Sequence, residues 1–350
     1  MRLTSGCQFD VPEDELEEFG PKSWRWCRFH LPLGTGDDES QKLSWNEARV
    51  SAFNETVFAS IDSAKKEGRW ADLSGVAFPA NISFEDYNLP NLLLLQAAFG
   101  GDALFSGVMA SGNAFFDGTT FHKDAFFESA TFAAVISFRN ARFDGVARFK
   151  NAKFDREAGF HGTTFKSLVD FEQATFGQGV TFDEATFGSE ADFRDAEFGG
   201  NAKFFGDPTR EGPAGRADAF RRSVTFRGAR FDKRAVFTSR RFLDSTDFRK
   251  ATFAIAPEFH NCSLHQSTDF SGAQFMDRKG SEDVDAAMAY LTLKLAMARV
   301  RATDEEARFY GYEQQSLRPG RTRPDQSSWS PGCMRRPPTM GKASCARFSG

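Results

Sequence analysis

The chain has 350 residues, a net charge of −4 and 41 phenylalanines, against only five tryptophans and four tyrosines. Its pI of about 5.9 argues against a globally basic protein and against direct binding to nucleic acid. A mean hydropathy of −0.46, with no apolar run of 18 residues, excludes a membrane-spanning helix from this sequence. The dominance of phenylalanine indicates a fold that uses this ring at many equivalent positions.

The N-terminal residues 1–15 are acidic and contain no apolar segment of signal-peptide length. The cysteines are odd in number and widely spread, which does not suggest a disulfide framework and favours a reducing, cytoplasmic compartment. They are Cys7, Cys27, Cys262, Cys333 and Cys345. Three N-terminal residues, Cys7, Cys27 and His30, have the side chains of zinc ligands. Ordinary packing of a small module is the alternative interpretation, and the sequence calls for no cofactor.

Residues 1–70 precede any repeat and are predicted to form an N-terminal cap module. Within them, residues 44–67 read as a helix that begins with a capping box of Ser44 and Glu47. Apolar residues then recur on one face, at Val50, Phe53, Val57 and Ile61. We expect this helix to cover the first coil of the repeat domain, since an open solenoid end exposes unpaired strand edges.

Residues 71–275 contain an eleven-residue repeat, because the phenylalanines alternate strictly between steps of five and six residues. The regular series comprises Phe116, Phe121, Phe127, Phe132, Phe138, Phe143, Phe149, Phe154, Phe160, Phe165, Phe171, Phe176, Phe182, Phe187, Phe193, Phe198 and Phe204. It resumes at Phe220 and continues in phase to Phe275. As a helix, steps of five and six residues would scatter the rings around the axis, so a helical interpretation fails.

A small residue stands two positions before each phenylalanine, as at Ala125, Ala147 and Ala191, and the residue between them is polar or charged. A spacing of two places both side chains on one face of an extended strand. Each short strand is therefore predicted to point its small residue and its ring inward. Gly, Asp and Ser residues that follow the strands suit tight corners.

This pattern predicts a quadrilateral β-helix, a β-solenoid with two units, or about 22 residues, in each coil. Residues 99–275 would then form eight coils, with ladders of phenylalanine running up the interior. One predicted ladder is Phe121, Phe143, Phe165, Phe187, Phe231, Phe253 and Phe275. Its neighbour is Phe116, Phe138, Phe160, Phe182, Phe204, Phe226, Phe248 and Phe270. Burial of each ring contributes about 1.5–3 kcal/mol of transfer free energy.

The repeat resembles the pentapeptide-repeat proteins, whose units centre on Leu or Phe with a small residue two places earlier. The first units match most closely: Ala71-Asp72-Leu73-Ser74-Gly75, then Val76-Ala77-Phe78 and Ile82-Ser83-Phe84, followed by Leu89, Leu94 and Phe99 at steps of five. The resemblance implies the right-handed, four-sided form of the helix. This chain departs from it by one extra residue in every second unit, which predicts longer corners on alternate edges.

The repeat is interrupted at residues 207–217, which are predicted to form a loop that binds a partner. Charge is segregated on either side of the loop. Residues 167–198 carry eight acids against Arg194, and residues 219–241 carry eight bases against Asp232. A merely solvated surface is the alternative interpretation. The candidate partner-binding residues are Arg210, Arg216, Arg221, Arg222, Arg227, Arg230 and Arg234.

Residues 276–317 are predicted to form a C-terminal helical segment. Its first helix carries an apolar stripe of Met288, Leu291, Leu295 and Ala298 that could pack on the last coil or on a partner. Residues 318–350 hold five prolines and seven Lys or Arg residues and are predicted to be a disordered tail. In some relatives a stretch similar to residues 305–310 precedes membrane-spanning helices, so a shortened form of a membrane-associated protein is one alternative.

The sequence contains no nucleophile elbow, phosphate-binding loop or dinucleotide fingerprint. We therefore expect a non-enzymatic scaffold that binds an unidentified protein partner and that could form a homodimer. The family resemblance also permits a DNA-mimicking inhibitor of the topoisomerase gyrase, which would need a continuous acidic surface. The basic segment 219–241 weakens that alternative.

Overall fold

Four parallel β-sheets form the walls of a solenoid in the computed structural model, which describes residues 17–19, 24–33, 42–85, 87–212, 215–217, 219–276, 284–299 and 302–317. Each wall contributes one two-residue strand to every coil, and walls 3 and 4 have nine strands each. Strands in successive coils pair at a separation of 22 residues over most of the rod, as from Phe121 to Phe143. The predicted four-sided β-solenoid is therefore confirmed, and residues 71–275 form about nine coils.

The walls are numbered in the order in which the chain forms them. Wall 1 consists of Ala71–Asp72, Leu92–Leu93, Ala114–Phe115, Ile136–Ser137, Ala158–Gly159, Val180–Thr181, Ala202–Lys203 and Ala235–Val236. Wall 2 consists of Ala77–Phe78, Ala98–Phe99, Thr120–Phe121, Arg142–Phe143, Thr164–Phe165, Thr186–Phe187, Ala219–Phe220 and Arg241–Phe242.

The other two walls complete each coil. Wall 3 consists of Ile82–Ser83, Ala103–Leu104, Ala125–Phe126, Ala147–Arg148, Val169–Asp170, Ala191–Asp192, Val224–Thr225, Thr246–Asp247 and Thr268–Asp269. Wall 4 consists of Asn88–Leu89, Met109–Ala110, Thr131–Phe132, Lys153–Phe154, Thr175–Phe176, Glu197–Phe198, Arg230–Phe231, Thr252–Phe253 and Gln274–Phe275.

The interior of the rod is filled by stacked rings, as the repeat predicts. In wall 3, the rings from Phe84 to Phe270 stack nearly parallel with centroids 4.5 to 5.1 Å apart. Rings of opposite walls meet edge to face, such as Phe149 of wall 3 and Phe160 of wall 1, with centroids 5.6 Å apart. Offset stacking and edge contacts are the arrangements that the ring quadrupole favours, so the spacing of the coils suits phenylalanine.

The corners of the coil alternate between two kinds, which accounts for the steps of five and six residues. The corners after walls 1 and 3 are two-residue turns whose second residue has a positive φ. This position recurs every eleven residues and accepts Gly as well as Ser, Asn, Gln, Glu, Asp and Lys, from Gly107 to Asp195 and from Gly228 to Gly272. The corners after walls 2 and 4 carry the additional residue. The longer corners on alternate edges are thus confirmed.

The predicted ladders are wrong beyond residue 204, because the whole eleven-residue interruption lies outside the walls of the solenoid. Residues Asp207–Gly212 and Gly215–Ala217 pair as an antiparallel hairpin at the corner between walls 1 and 2. Phe187 consequently stacks on Phe220, with centroids 4.6 Å apart, and Phe198 stacks on Phe231. An eleven-residue unit is half a coil, so counting in steps of 22 assigns every later ring to the opposite wall.

Helix α1, Glu47–Glu67, closes the start of the rod. Its N-cap is Asn46, whose side chain accepts the Arg49 N–H at 2.9 Å, so the predicted Ser44 capping box is wrong. Phe53, Val57 and Ile61 are buried, and Phe53 packs edge-on against Phe78 of the first coil. Strands Glu17–Phe19 and Trp24–Trp26 pair nearby in sequence as a short antiparallel ribbon.

Helices α2, Val284–Arg299, and α3, Thr303–Ser316, close the other end. Tyr290, Leu293 and Met297 of α2 are buried, whereas Met288 and Leu295 are about half exposed. The predicted stripe is therefore wrong. Helix α2 is apolar on most of its circumference, so periodicity does not select its buried face. The buried face is instead determined by the packing of Tyr290 on Phe275, whose ring centroids lie 5.9 Å apart.

Candidate functional site

A buried arginine of the next coil, Arg240, lies at the corner where the hairpin 207–217 leaves the rod. The Arg240 side chain is completely buried, and its guanidinium donates to three backbone carbonyls. The Nε donates to Phe204 at 2.5 Å, and the two terminal nitrogens donate to Ala185 and Phe182 at 2.8 Å each. Phe182 and Ala185 lie two coils below Arg240. The side chain thus spans the level at which the hairpin has replaced an ordinary corner.

Arg240 occupies the column of small residues that elsewhere line this corner. Polar members of the column donate to a carbonyl one coil below, as Thr163 does to Phe138 at 2.7 Å and Cys262 to Phe237 at 2.8 Å. Arg240 extends the same interaction across two coils, because the hairpin removes the small residue between. Its guanidinium also lies over the rings of Phe187 and Phe220, at 5.8 and 5.4 Å from their centroids.

The sequence interpretation missed this role and counted Arg240 with the exposed basic residues. The signal was present, since Arg240 stands two positions before Phe242, where the repeat otherwise places a small inward residue. An arginine at such a position must either break the column or bond to backbone inside it. The structure shows the second outcome.

The hairpin covers part of wall 2. Its second strand, Gly215–Ala217, lies beside Thr186–Phe187. Thr186 stands at an outward position of the wall, yet it is only 2% exposed. In the first strand, the Asp207 carboxylate accepts the Thr209 N–H and hydroxyl at 2.8 and 2.7 Å. The hairpin is therefore folded against the rod.

The candidate arginines do not form one patch, because residues 219–241 wind once around the rod. Arg221 and Arg222 lie exposed at the corner between walls 2 and 3, and Arg227 lies at the next corner. Arg230 projects from wall 4 and Arg234 from the corner that follows it. The side chains of Arg210 and Arg216 lie outside the described residues. The basic segment is thus a ring of charge around one coil.

Two arginines of this ring are held by acids. The Nε of Arg230 donates to Asp232 at 2.7 Å, and the Nε of Arg234 donates to Glu258 at 2.7 Å. Both pairs are solvent-exposed on the arginine side and contribute little to stability. Arg221 and Arg222, which are adjacent to the base of the hairpin in sequence, carry the larger available charge.

Acidic residues concentrate on wall 3, where Asp170, Glu172 and Asp192 place carboxylate oxygens within 4.8 Å of one another. Burial raises the pKa of Asp170, and the neighbouring Asp192 and Glu172 raise it further. Arg194 contacts Asp192 and Glu172 at 2.7 and 2.9 Å. This is the one group of three potential metal ligands among the described side chains, and the guanidinium already neutralises much of it.

Acids and arginines alternate along the same side of the rod. The Arg249 guanidinium donates to Asp247 in the pattern that Arg194 makes with Asp192, at 2.7 Å in both pairs. The hydrogen bonds of Arg249 outweigh the effect of burial and lower the pKa of Asp247. Wall 3 therefore presents paired charges rather than the continuous negative surface that mimicry of DNA requires.

Two of the three predicted N-terminal metal candidates, Cys27 and His30, lie side by side. The Cys27 Sγ lies 2.9 Å from the Nδ1 of His30, and the Nε2 of His30 lies 3.1 Å from the carbonyl oxygen of Ser74. Cys7 lies outside the described residues. The Cys27 and His30 pair joins the N-terminal module to the first coil.

Among the described residues, no helix combines the length and the hydrophobicity needed to cross a bilayer. Helix α2 is the most apolar of the three helices but has 16 residues.

Comparison with known families agrees with the geometry. A model of pentapeptide repeats, nine copies long, matches residues 111–153, 127–175 and 160–206 in overlapping segments. These segments lie in the most regular part of the rod. Neither the curated protein sequences nor the solved structures contain a significant match. The repeat and the four-walled solenoid together show that this chain belongs to the pentapeptide-repeat proteins.

Proposed function

We propose that this protein is a non-enzymatic scaffold that binds a protein partner through the hairpin 207–217 and the arginines beside it. Pentapeptide-repeat solenoids are in general non-enzymatic scaffolds. The interior supports this function, because Phe rings occupy the space that a substrate pocket would need. Within walls 2 and 3 their centroids lie no more than 5.5 Å apart.

The observation that carries the proposal is the buried guanidinium of Arg240, which donates to Phe204 just before the hairpin and to Phe182 and Ala185 in the coil beneath. A loop that merely interrupts a repeat needs no buried guanidinium beneath it. Here one side chain satisfies carbonyls of two coils and keeps the rod continuous under the hairpin. Such a base fixes the position at which the hairpin leaves the rod, which lowers the entropy cost of binding.

The charge near the hairpin supports an acidic partner. Arg221 and Arg222 are exposed at the corner that follows the wall 2 strand leaving the hairpin. Charges at the rim of an interface mainly accelerate association. We therefore expect binding to weaken as salt concentration rises.

The test is affinity capture from the native cell with a variant that lacks the hairpin but keeps the rod. Deleting residues 207–217 brings Gly206 next to Asp218 and restores a five-residue step from Phe204 to Phe220. Asp218→Ala and Arg240→Ala then supply the small residues of a regular column. We expect this variant to keep its circular dichroism spectrum and to lose the partner.

A matched control carries Arg249→Ala and Thr252→Ala, an exposed and a half-buried change on the far side of the rod, and should capture the partner normally. Capture of the same partner by the hairpin deletion would overturn the proposal.

We also propose that the protein works in a reducing cytoplasm. Two cysteines of the described chain are held as thiols, Cys27 by His30 and Cys262 by the carbonyl oxygen of Phe237. Burial raises the pKa of the Cys262 thiol to about 12, so this thiol stays protonated and unreactive at neutral pH.

A further inference from the structure

The outer face of wall 1 combines a ridge and a groove. Trp70 stacks on Phe115 with ring centroids 5.6 Å apart and planes 12° apart, and together they form the ridge. Beside it lies a groove of about 440 Å³ whose floor includes the backbone of Ile136, Ala158 and Val180. The floor is open because the outward residues there are small.

The outward residues of wall 1 follow one another at one per coil. From the first coil to the seventh they are Asp72, Leu93, Phe115, Ser137, Gly159, Thr181 and Lys203, and Val236 follows in the eighth. Successive members lie about 4.8 Å apart along the rod, the spacing of paired strands. The first seven of these residues form complementary pairs about the middle one, Ser137.

We infer that two copies of this chain associate face to face through wall 1, with their rods antiparallel and the two-fold axis at Ser137. A two-fold axis that crosses the rods in the plane of the interface places each column opposite itself in reverse order. Phe115 then meets the hollow at Gly159, Leu93 meets Thr181, and Asp72 meets Lys203. Each pair lies at equal numbers of coils from the axis.

Charge supports a second copy as the occupant. Among the described residues, neither Asp72 nor Lys203 is in an ion pair, and Lys203 is exposed. The Asp72 carboxylate accepts the Ser74 N–H at 2.9 Å, which fixes its position on the wall. In the antiparallel arrangement both charges gain a partner twice, once at each end of the interface.

The parallel arrangement is disfavoured by the same residues. A two-fold axis along the rods would place Asp72 opposite Asp72, Lys203 opposite Lys203, and the two ridges against each other. Like charges in direct opposition destabilise an interface. The seven coils span about 30 Å, which gives a small interface and a concentration-dependent dimer.

The test is sedimentation velocity over a range of protein concentrations, with charge-reversed copies mixed in pairs. Lys203→Glu alone should weaken dimerisation by at least about tenfold, because it opposes Asp72 at both ends. Asp72→Lys alone should do the same. An equimolar mixture of the two variants should restore the dimer, since every pair is then opposite in charge.

Two further variants separate the ridge from the groove. An ideal Cβ at Gly159 would lie 3.4 Å from the Ser137 Oγ, an ordinary contact, so Gly159→Leu should fold and fill the hollow. We expect it to abolish the dimer, as we do for Phe115→Ala. Lys153→Glu, an exposed reversal on wall 4, is the control and should leave the dimer unchanged.

A chain that is monomeric at every concentration would overturn the inference. So would a dimer that Lys203→Glu and Gly159→Leu leave intact. A dimer unaffected by Lys203→Glu would indicate the parallel arrangement, in which the reversal exchanges one like-charge pair for another.

Discussion

Two aspartates near wall 3, Asp144 and Asp170, lie in opposite electrostatic surroundings. Asp144 lies 2.7 Å from the Arg142 Nε and 2.9 Å from the Lys166 Nζ. Burial opposes ionisation of Asp144, but these hydrogen bonds outweigh it and lower its pKa. Asp170 is surrounded by other carboxylates, and burial together with this repulsion raises its pKa. The two residues should therefore affect stability with opposite signs.

We predict that Asp144→Asn lowers the melting temperature at pH 7 and that Asp170→Asn raises it. The lowered pKa of Asp144 gives stability that is present above the unfolded value of about 3.9 and is lost as the pH falls through the folded pKa. The raised pKa of Asp170 costs stability once the carboxyl ionises, so the asparagine gains at neutral pH. Each effect should be about 0.2–1 kcal/mol.

Thermal unfolding at pH 7 and pH 3 measures both effects. The difference between each variant and the parent should shrink at the lower pH. The raised pKa keeps Asp170 protonated there, and the stability that Asp144 contributes declines as the pH falls below its unfolded value. A destabilised Asp170→Asn at pH 7 would contradict the prediction.

At the scale of elements, two arginine side chains donate to corner carbonyls that have no ordinary coil above them. Arg308 of α3 donates to the carbonyls of Phe270 and Ala273, which are the first and fourth residues of the last two-residue turn. Arg240 makes the same contacts with Phe182 and Ala185 inside the rod. Carbonyls that lack a coil above them thus receive an arginine at both places.

We predict that Arg240→Ala destabilises the protein by about 3–5 kcal/mol, since it leaves buried carbonyls without donors and opens a cavity. Arg240→Lys should cost less, because one ammonium can still reach some of the three carbonyls. Urea unfolding followed by circular dichroism measures the loss. Arg249→Ala, an exposed arginine of the same rod, should change stability by less than about 1 kcal/mol. Equal costs for Arg240 and Arg249 would sink this account.

The sequence predicts the elements well wherever a side chain has one possible environment. Phe149 and Phe171 can be placed inward because a ring every five or six residues cannot face water along a whole wall. The ladder from Phe187 to Phe231 fails because the repeat unit is shorter than the coil. Arithmetic on the unit does not reveal whether residues 207–217 stay in the wall or leave it.

The site is less predictable than the fold for the same reason. Arg221 and Arg222 are adjacent in sequence to the other arginines, and a charged stretch in a solenoid winds around the rod. Whether two charges share a face depends on the position of each residue within its coil. A count of bases along the sequence does not contain that information. Arg240 could have been identified from its place in the small column, but its acceptors lie 36 to 58 residues away in sequence.

At the scale of the whole molecule, the two ends of the rod must be closed against further pairing. Helix α1 packs Phe53 on Phe78, and helix α3 packs Phe309 on Phe270 and Phe275 with centroids 5.4 and 5.5 Å apart. Strand edges and ring faces at an uncovered end would offer a template to other chains. The caps therefore limit the length of the rod.

We predict that Phe309→Asp opens the C-terminal cap and produces end-to-end assemblies of increasing size. Phe309 is fully buried, so a carboxylate there would be desolvated and α3 would separate from the last coil. Size-exclusion chromatography with light scattering should show species larger than any dimer of the parent chain. Tyr310→Asp, at the adjacent and half-exposed position, should behave as the parent does. An unchanged size distribution for Phe309→Asp would refute the capping role.

The extruded hairpin also permutes the exterior of the molecule without disturbing its interior. All four walls accept phenylalanine, so the rings stay stacked when the chain loops out half a coil. Outside, however, Thr186 of wall 2 is followed by Ala219 and Arg241, whereas Arg230, 44 positions after Thr186, lies on wall 4. A single eleven-residue hairpin thus changes which outward-facing residues become neighbours on the surface. A chain built this way can acquire a new face by looping out a single unit, with every ring still in register.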